Sequence, residues 1–179
     1  MFTQQWNVWL ELGAIGLLMF TVFYSWSRWR SKHAFNVRIS KKHIKRLQKI
    51  PTPEQQMGFL RKVNPYIFEE MILSRIKQLG HRIKRGTKYS GDGGIDGRAF
   101  IRGKKVLIQA KRYKGHVSAR DVEAFVAVCK QQKCFGLFVH TGRTGKLSKQ
   151  MRAENVDIIS GERLLSMFVE RQFTPRWEA

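Results

Sequence analysis

Apolar and polar positions change their rhythm twice along this chain. Residues 6–27 carry one charge, Glu11, and residues 12–27 carry none; Leu, Phe, Ile and Val dominate there. A helix of about 22 residues rising ~1.5 Å each is ~33 Å long, enough for a bilayer core. Trp6, Trp9, Tyr24, Trp26 and Trp29 lie where the two membrane interfaces would be. No Lys or Arg precedes Arg28 and no small-residue cleavage site follows the run, which argues against a secretory signal. The expectation is one transmembrane helix within an anchor of residues 1–27. Residues 28–63 read as a basic connector, with a short helix suggested by Ile44, Leu47 and Ile50 and stopped by Pro51. Thr52-Pro53-Glu54 and Asn64-Pro65 each place a capping side chain before a proline. They predict helices from 53 to about 63 and from 65 to near Gly80.

After Gly80 the period shortens toward two. Strands are predicted over 81–89, 98–101 and 105–113, the last two forming a hairpin across Arg102-Gly103-Lys104. Ser118 with Asp121 has the spacing of a capping box for a helix to about Gln132. A buried strand over 135–141, a helix over 147–155, a strand over 156–160 and a helix over 162–170 complete the series. The order αβββαβαβα predicts an α/β fold, a mixed sheet with helices on both faces, preceded by the single span. The boundaries that follow are anchor 1–27, connector 28–63, α/β domain 64–170 and tail 171–179.

Charge narrows the partners. Lys and Arg number 34 against 13 Asp and Glu, a formal net charge of +21. Such a surplus says nothing about fold but points to a polyanion: DNA, RNA or an anionic lipid surface. Arg28, Arg30, Lys32, Arg38, Lys41, Lys42, Lys45, Arg46 and Lys49 precede any acid after the apolar run. By the positive-inside rule this places the connector and everything after it in the cytoplasm, on the inner face of a plasma membrane. The same stretch could lie on lipid or on DNA phosphates. The two cysteines, Cys129 and Cys134, are too few for a disulfide framework or a zinc site.

Three short stretches carry candidate chemistry. On the helix from 65, steps of 100° set Phe68, Ile72, Ile76 and Leu79 on one stripe. Glu69 falls at the rim of that stripe, facing the domain, and Glu70 falls opposite, facing water. An inward acid needs a partner, either a cation or one of the many basic side chains. Gly91-Asp92-Gly93-Gly94-Ile95-Asp96-Gly97 is a glycine-rich turn around two aspartates. Carboxylates near phosphates are costly unless a metal lies between, and Mg²⁺ takes such oxygens. In 106–113 the strand alternation puts Gln109 and Lys111 on one face, and a lysine inside an apolar strand also needs a partner.

Taken together, Phe68-Glu69, Leu79-Gly80, Gly91 to Gly97 and Gln109-Ala110-Lys111-Arg112-Tyr113 resemble the Mrr-like, type IV restriction branch of the PD-(D/E)xK nucleases. The resemblance covers about residues 64–168. It implies a metal-dependent DNA endonuclease using Mg²⁺ (or Mn²⁺). Asp96 would be the central metal ligand and Glu69 would support the metal from the helix. Gln109 stands where many relatives carry an acid, and Lys111 would orient water and steady the phosphate. Asp92 would shape the turn. The loop from His140 to Lys146 departs from the family in being basic, which suits phosphate contact. The partners implied are DNA, a membrane and, as for many duplex-cutting nucleases, a second copy. A silent DNA-binding tether would not need all four site residues. A nuclease for RNA or branched DNA shares the fold, which does not fix substrate.

Overall fold

The structure, a computed structural model, describes residues 2–86, 94–146 and 154–178, except for the side chains of 2–10 and 29–31. Helix α1 spans Phe2–Leu47 without a break, and contacts divide the chain into units Met1–Asn36 and Val37–Ala179. In the first unit the helix presents Leu12, Ile15, Leu17, Leu18 and Phe20 to the outside, each more than half exposed. Among the described residues no helix is long and apolar enough to cross a membrane. The transmembrane segment expected over 1–27 therefore finds no support there, and the side chains of 6–10, part of that segment, lie outside the described ones.

The second unit is built on a five-stranded sheet. Its elements are α2 (Pro53–Leu60), α3 (Pro65–Gln78), β1 (Arg82–Arg85), β2 (Gly97–Ile101), β3 (Lys104–Lys111), α4 (Ala119–Gln131), β4 (Phe135–His140), β5 (Val156–Ile159) and α5 (Gly161–Val169). Thr52 and Asn64 cap their helices through their side chains, accepting from the N–H of Gln55 and Tyr66. Strand order is β1-β2-β3-β4-β5. The pairs β1–β2 and β2–β3 are antiparallel, while β3–β4 and β4–β5 are parallel. The β2–β3 turn closes through Arg102 (φ 49°) and Gly103 (φ 80°), the two successive positive φ values that tight hairpins favour. The predicted strand over 81–89 is seen as β1; its residues 87–89, Gly91 to Gly93 with Asp92, and 147–153 of the predicted helix lie outside the described residues.

Strand β3 is central and buried on both faces. Val106, Ile108 and Ala110 join α2, α3, α5 and the end of α1 in one core. Leu107 joins Val122, Phe125, Phe138 and Ile158 in another, under α4. The mixed sheet is thus covered on both sides, as the succession of elements predicts. The last residues dock as well: Trp177 packs on Phe135 with ring centroids 5.1 Å apart, and Glu178 pairs with Arg102 and Lys104 beside the hairpin turn.

Two local expectations are corrected. Glu70 does not face water: it is 3% exposed and pairs with Arg85 Nε at 2.7 Å. The end of α1 covers that side of α3, with Ser40 Oγ 3.1 Å from Ser74 Oγ, so both sides of α3 are inside. Ser118 makes no side-chain cap on α4, and the Asp121 carboxylate, its supposed capping partner, is engaged by Lys111 instead. Removing Glu70 leaves the Arg85 guanidinium without its buried partner. Glu70→Ala is expected to lower stability by about 1–3 kcal/mol, while Glu123→Ala on the exposed side of α4 changes it by less than about 0.5 kcal/mol; urea denaturation of both reads the contrast.

Candidate active site

The site lies where the antiparallel hairpin meets the parallel strands, at the C-terminal end of β3. Asp96 immediately precedes β2 and is strapped across its neighbours at three points. Its N–H donates to Ile108 O at 2.9 Å, and its C=O accepts from Gly86 N at 2.9 Å. Its Oδ2 accepts from the Ala110 N–H at 2.6 Å. Two glycines make this approach possible. A Cβ on Gly97 would lie 2.7 Å from Leu73 Cδ2 and 3.1 Å from Lys84 O, so a side chain there would push α3 off the sheet. Gly94, at φ +80°, would place a Cβ 2.3 Å from Gln109 Nε2. Close seating of α3 brings Glu69, one turn before Leu73, within electrostatic range of Asp96.

Both carboxyls hold their protons unusually well. Burial, then repulsion from Asp96 and Glu70, pushes Glu69 up to about 8. Burial pushes Asp96 up to about 7, with Glu70 adding to the rise; the Ala110 N–H and the charge of Lys111 offset only part of it. Gln109 is 5% exposed, and its Oε1 is buried without a hydrogen-bond partner among the described residues. Buried carbonyl oxygens are rarely left so. Two raised carboxyls and an orphaned amide oxygen near the same end of β3 are oxygen donors of the kind a hard divalent cation takes. No group of three or more His, Cys, Asp and Glu able to hold a metal occurs among the described residues. Glu69, Asp96 and the Gln109 amide are the candidate oxygen donors.

Lys111 ends β3 half-exposed, with Nζ 3.0 Å from Asp121 Oδ1. Tyr113 OH donates to the other oxygen of Asp121. Those contacts, with the charge of Lys111, hold the Asp121 carboxyl below its ordinary value against the opposing effect of burial. The same contact, after burial, pushes the Tyr113 phenol far above its usual range. Sequence reasoning places Glu69, Asp96, Gln109 and Lys111, and the structure gathers all four at one end of β3. It misses Asp121, whose spacing from Ser118 imitates a helix cap. The available signal was Lys111 itself, a lysine at a half-buried position that must find an acid, with few acids within reach. Asp92 lies outside the described residues.

Comparison with known proteins places the α/β unit in a family: the Mrr_cat restriction endonuclease model matches residues 60–168, and the chain belongs to this family. A relative from Escherichia coli (strain K12), the type IV methyl-directed restriction enzyme EcoKMrr, is 29% identical over 123 residues. That match takes in 63% of this chain and 40% of the relative, so the chain spans well under half of the curated protein it matches. Among solved structures, restriction endonuclease FokI is similar at a TM-score of 0.44 and 18% identity, over 65% of this chain and 27% of that one.

The raised carboxyls give a signed pH dependence. With Glu69 near 8 and Asp96 near 7 in the fold, against ordinary values of 4.5 and 3.8, the folded chain binds more protons than the unfolded one in between. Their contribution is most favourable below about pH 4 and is lost as pH rises through 7 to 8. In EDTA, thermal melts should show Tm falling from pH 5 to pH 8, with much of that slope removed in Glu69→Gln. Equal slopes in the two proteins would contradict the desolvated pair.

Proposed function

We propose that this chain is a metal-dependent endonuclease that hydrolyses phosphodiester bonds in DNA. The observation that carries the reading is the convergence of Glu69, Asp96, the orphaned Gln109 oxygen and Lys111 at the end of β3. Glu69 and Asp96 would hold Mg²⁺ (or Mn²⁺), with Gln109 Oε1 beside them. When bound, such an ion polarises a phosphoryl oxygen and makes a bound water more acidic. The chain's own residues supply the rest. The Ala110 N–H fixes one oxygen of Asp96. Lys111 brings positive charge to the place where the phosphate gains negative charge. Asp121, steadied by Tyr113, restrains the long lysine stem so that less freedom is lost when substrate arrives.

The DNA substrate is supported by family membership and by the net charge of +21. The matched relative is by name methyl-directed, which makes methylated duplex the first special substrate to offer. The expected outcome with plasmid DNA and Mg²⁺ is cleavage that EDTA abolishes and that falls at least about 100-fold in Asp96→Ala and in Lys111→Ala. Equal DNA binding by all three proteins with no cutting of plain, methylated or branched DNA, or of RNA, would favour a silent tether. One site per chain cuts one strand, so double-strand breaks are expected to rise with protein concentration as two copies meet.

Membrane attachment through the first unit, with the α/β unit on the cytoplasmic face, is part of the same proposal. Its support is the open apolar surface from Leu12 to Phe23 followed by the basic stretch from Arg28, which anionic headgroups would attract. The full chain is expected in the membrane fraction and to resist carbonate extraction; recovery in the supernatant without detergent would contradict it.

A further inference from the structure

The loops that follow β3 and β4 are laced together just beyond Lys111. Arg143 N donates to Gly115 O at 2.9 Å, and Val117 N donates to Arg143 O at 3.0 Å, a parallel bridge between His116 and Arg143. Thr141 Oγ1 donates to Tyr113 O at 2.8 Å and accepts from Tyr113 N at 3.0 Å. Gly142 is buried at the seam, where a Cβ would lie 2.5 Å from Gly115 O and 2.8 Å from Tyr113 Cβ. From below, Arg61 Nε donates to Thr141 O at 3.1 Å, and Arg112 donates to Arg61 O. Two loops so tied act as one stiff lip.

What the lip shows to solvent is positive. Lys114, His116, Arg143 and Lys146 are exposed, and neither 112–120 nor 141–146 contains an acid. Lys114 is three residues past Lys111, roughly 10 Å along extended chain. Lys111 is already paired with Asp121, while the exposed cations sit on the two tied loops that follow β3 and β4. A rigid row of cations beside a hydrolytic site suits a ligand with regularly spaced anions and a fixed course. A fluid headgroup layer requires no such built geometry.

We propose that this lip binds the phosphodiester backbone of DNA next to the bond to be cut, with Lys114, Arg143 and Lys146 as the phosphate contacts. The proposal takes DNA as ligand from the nuclease reading above, but it concerns binding, so it can be tested without cleavage. The full-length Asp96→Asn chain, in detergent and EDTA, is titrated with duplex DNA from 50 to 400 mM KCl. Each phosphate contact contributes about 0.9 to the slope of log K against log salt. Lys114→Gln/Arg143→Gln/Lys146→Gln is expected to reduce that slope by about 2.7, and the double variant sparing Arg143 by about 1.8. A control, Lys105→Gln/Lys130→Gln/Lys133→Gln, removes the same charge at the far end of β3 and α4 and should leave the slope nearly unchanged. Phosphatidylserine vesicle binding should be the same for both triples.

Equal loss of slope in the two triples would show diffuse attraction only and overturn the lip. An unchanged slope in the lip triple, or a loss confined to vesicle binding, would overturn it too. Melting curves establish that each variant is folded, and the double variant carries the test if Arg143 is needed for the bridge. If the parent chain cuts nothing while the slopes shift as expected, the nuclease reading fails and the lip stands.

Discussion

The structure depends on a costly arrangement: two carboxyl groups, Glu69 and Asp96, withdrawn from water, with Asp96 close enough to raise Glu69. A protein selected for stability alone would remove one or give it a basic partner, as it does for Glu70 with Arg85 and Asp157 with Arg163. Here the nearby lysine is tied to a different acid, Asp121. The pair is left short of positive charge, and a hard cation is the simplest group that would supply it.

Much of the surrounding fold serves to hold that arrangement in place. The hairpin delivers Asp96 onto β3, where a backbone N–H fixes one oxygen. Gly97 lets Leu73 press against the strand, which brings Glu69 down from α3. The parallel pairing of β3 with β4 sets Lys111 opposite His140 and carries both chains into the laced loops. His140 is wholly buried, and burial lowers its pKa to about 4. Its Nε2 lies 3.1 Å from Thr144 Oγ1, so it belongs to the frame under the lip and stays uncharged at neutral pH.

The sheet and the positions of the four candidate residues were legible because they rest on short-range rules. Prolines and caps opened α2 and α3, a period of two marked β3, and Arg102-Gly103 had the chemistry of a tight turn. Glu69 was placed correctly at the rim of its apolar stripe. Glu70 was not, because a helical wheel assumes one buried face and cannot foresee that the end of α1 covers the other. Asp121 was hidden for a similar reason: its bond is to a side chain ten residues earlier, while its spacing from Ser118 copies a capping box that does not form. The first unit shows the converse. Its apolar run is plain in the sequence, yet no helix among the described residues is long and apolar enough to cross a membrane. Residues 6–10, which open that run, lie outside the described side chains.

The central claim is that the Glu69–Asp96 pair is a cation site, and it is tested most directly by calorimetric titration of the full chain with Mn²⁺ in buffers of different ionisation enthalpy. The account predicts one ion per chain, lost in Asp96→Asn, with net proton release at pH 6.5 that fades by pH 9, because both carboxyls must be deprotonated to bind it. Binding that releases no protons at pH 6.5, or that survives in Asp96→Asn, would contradict it.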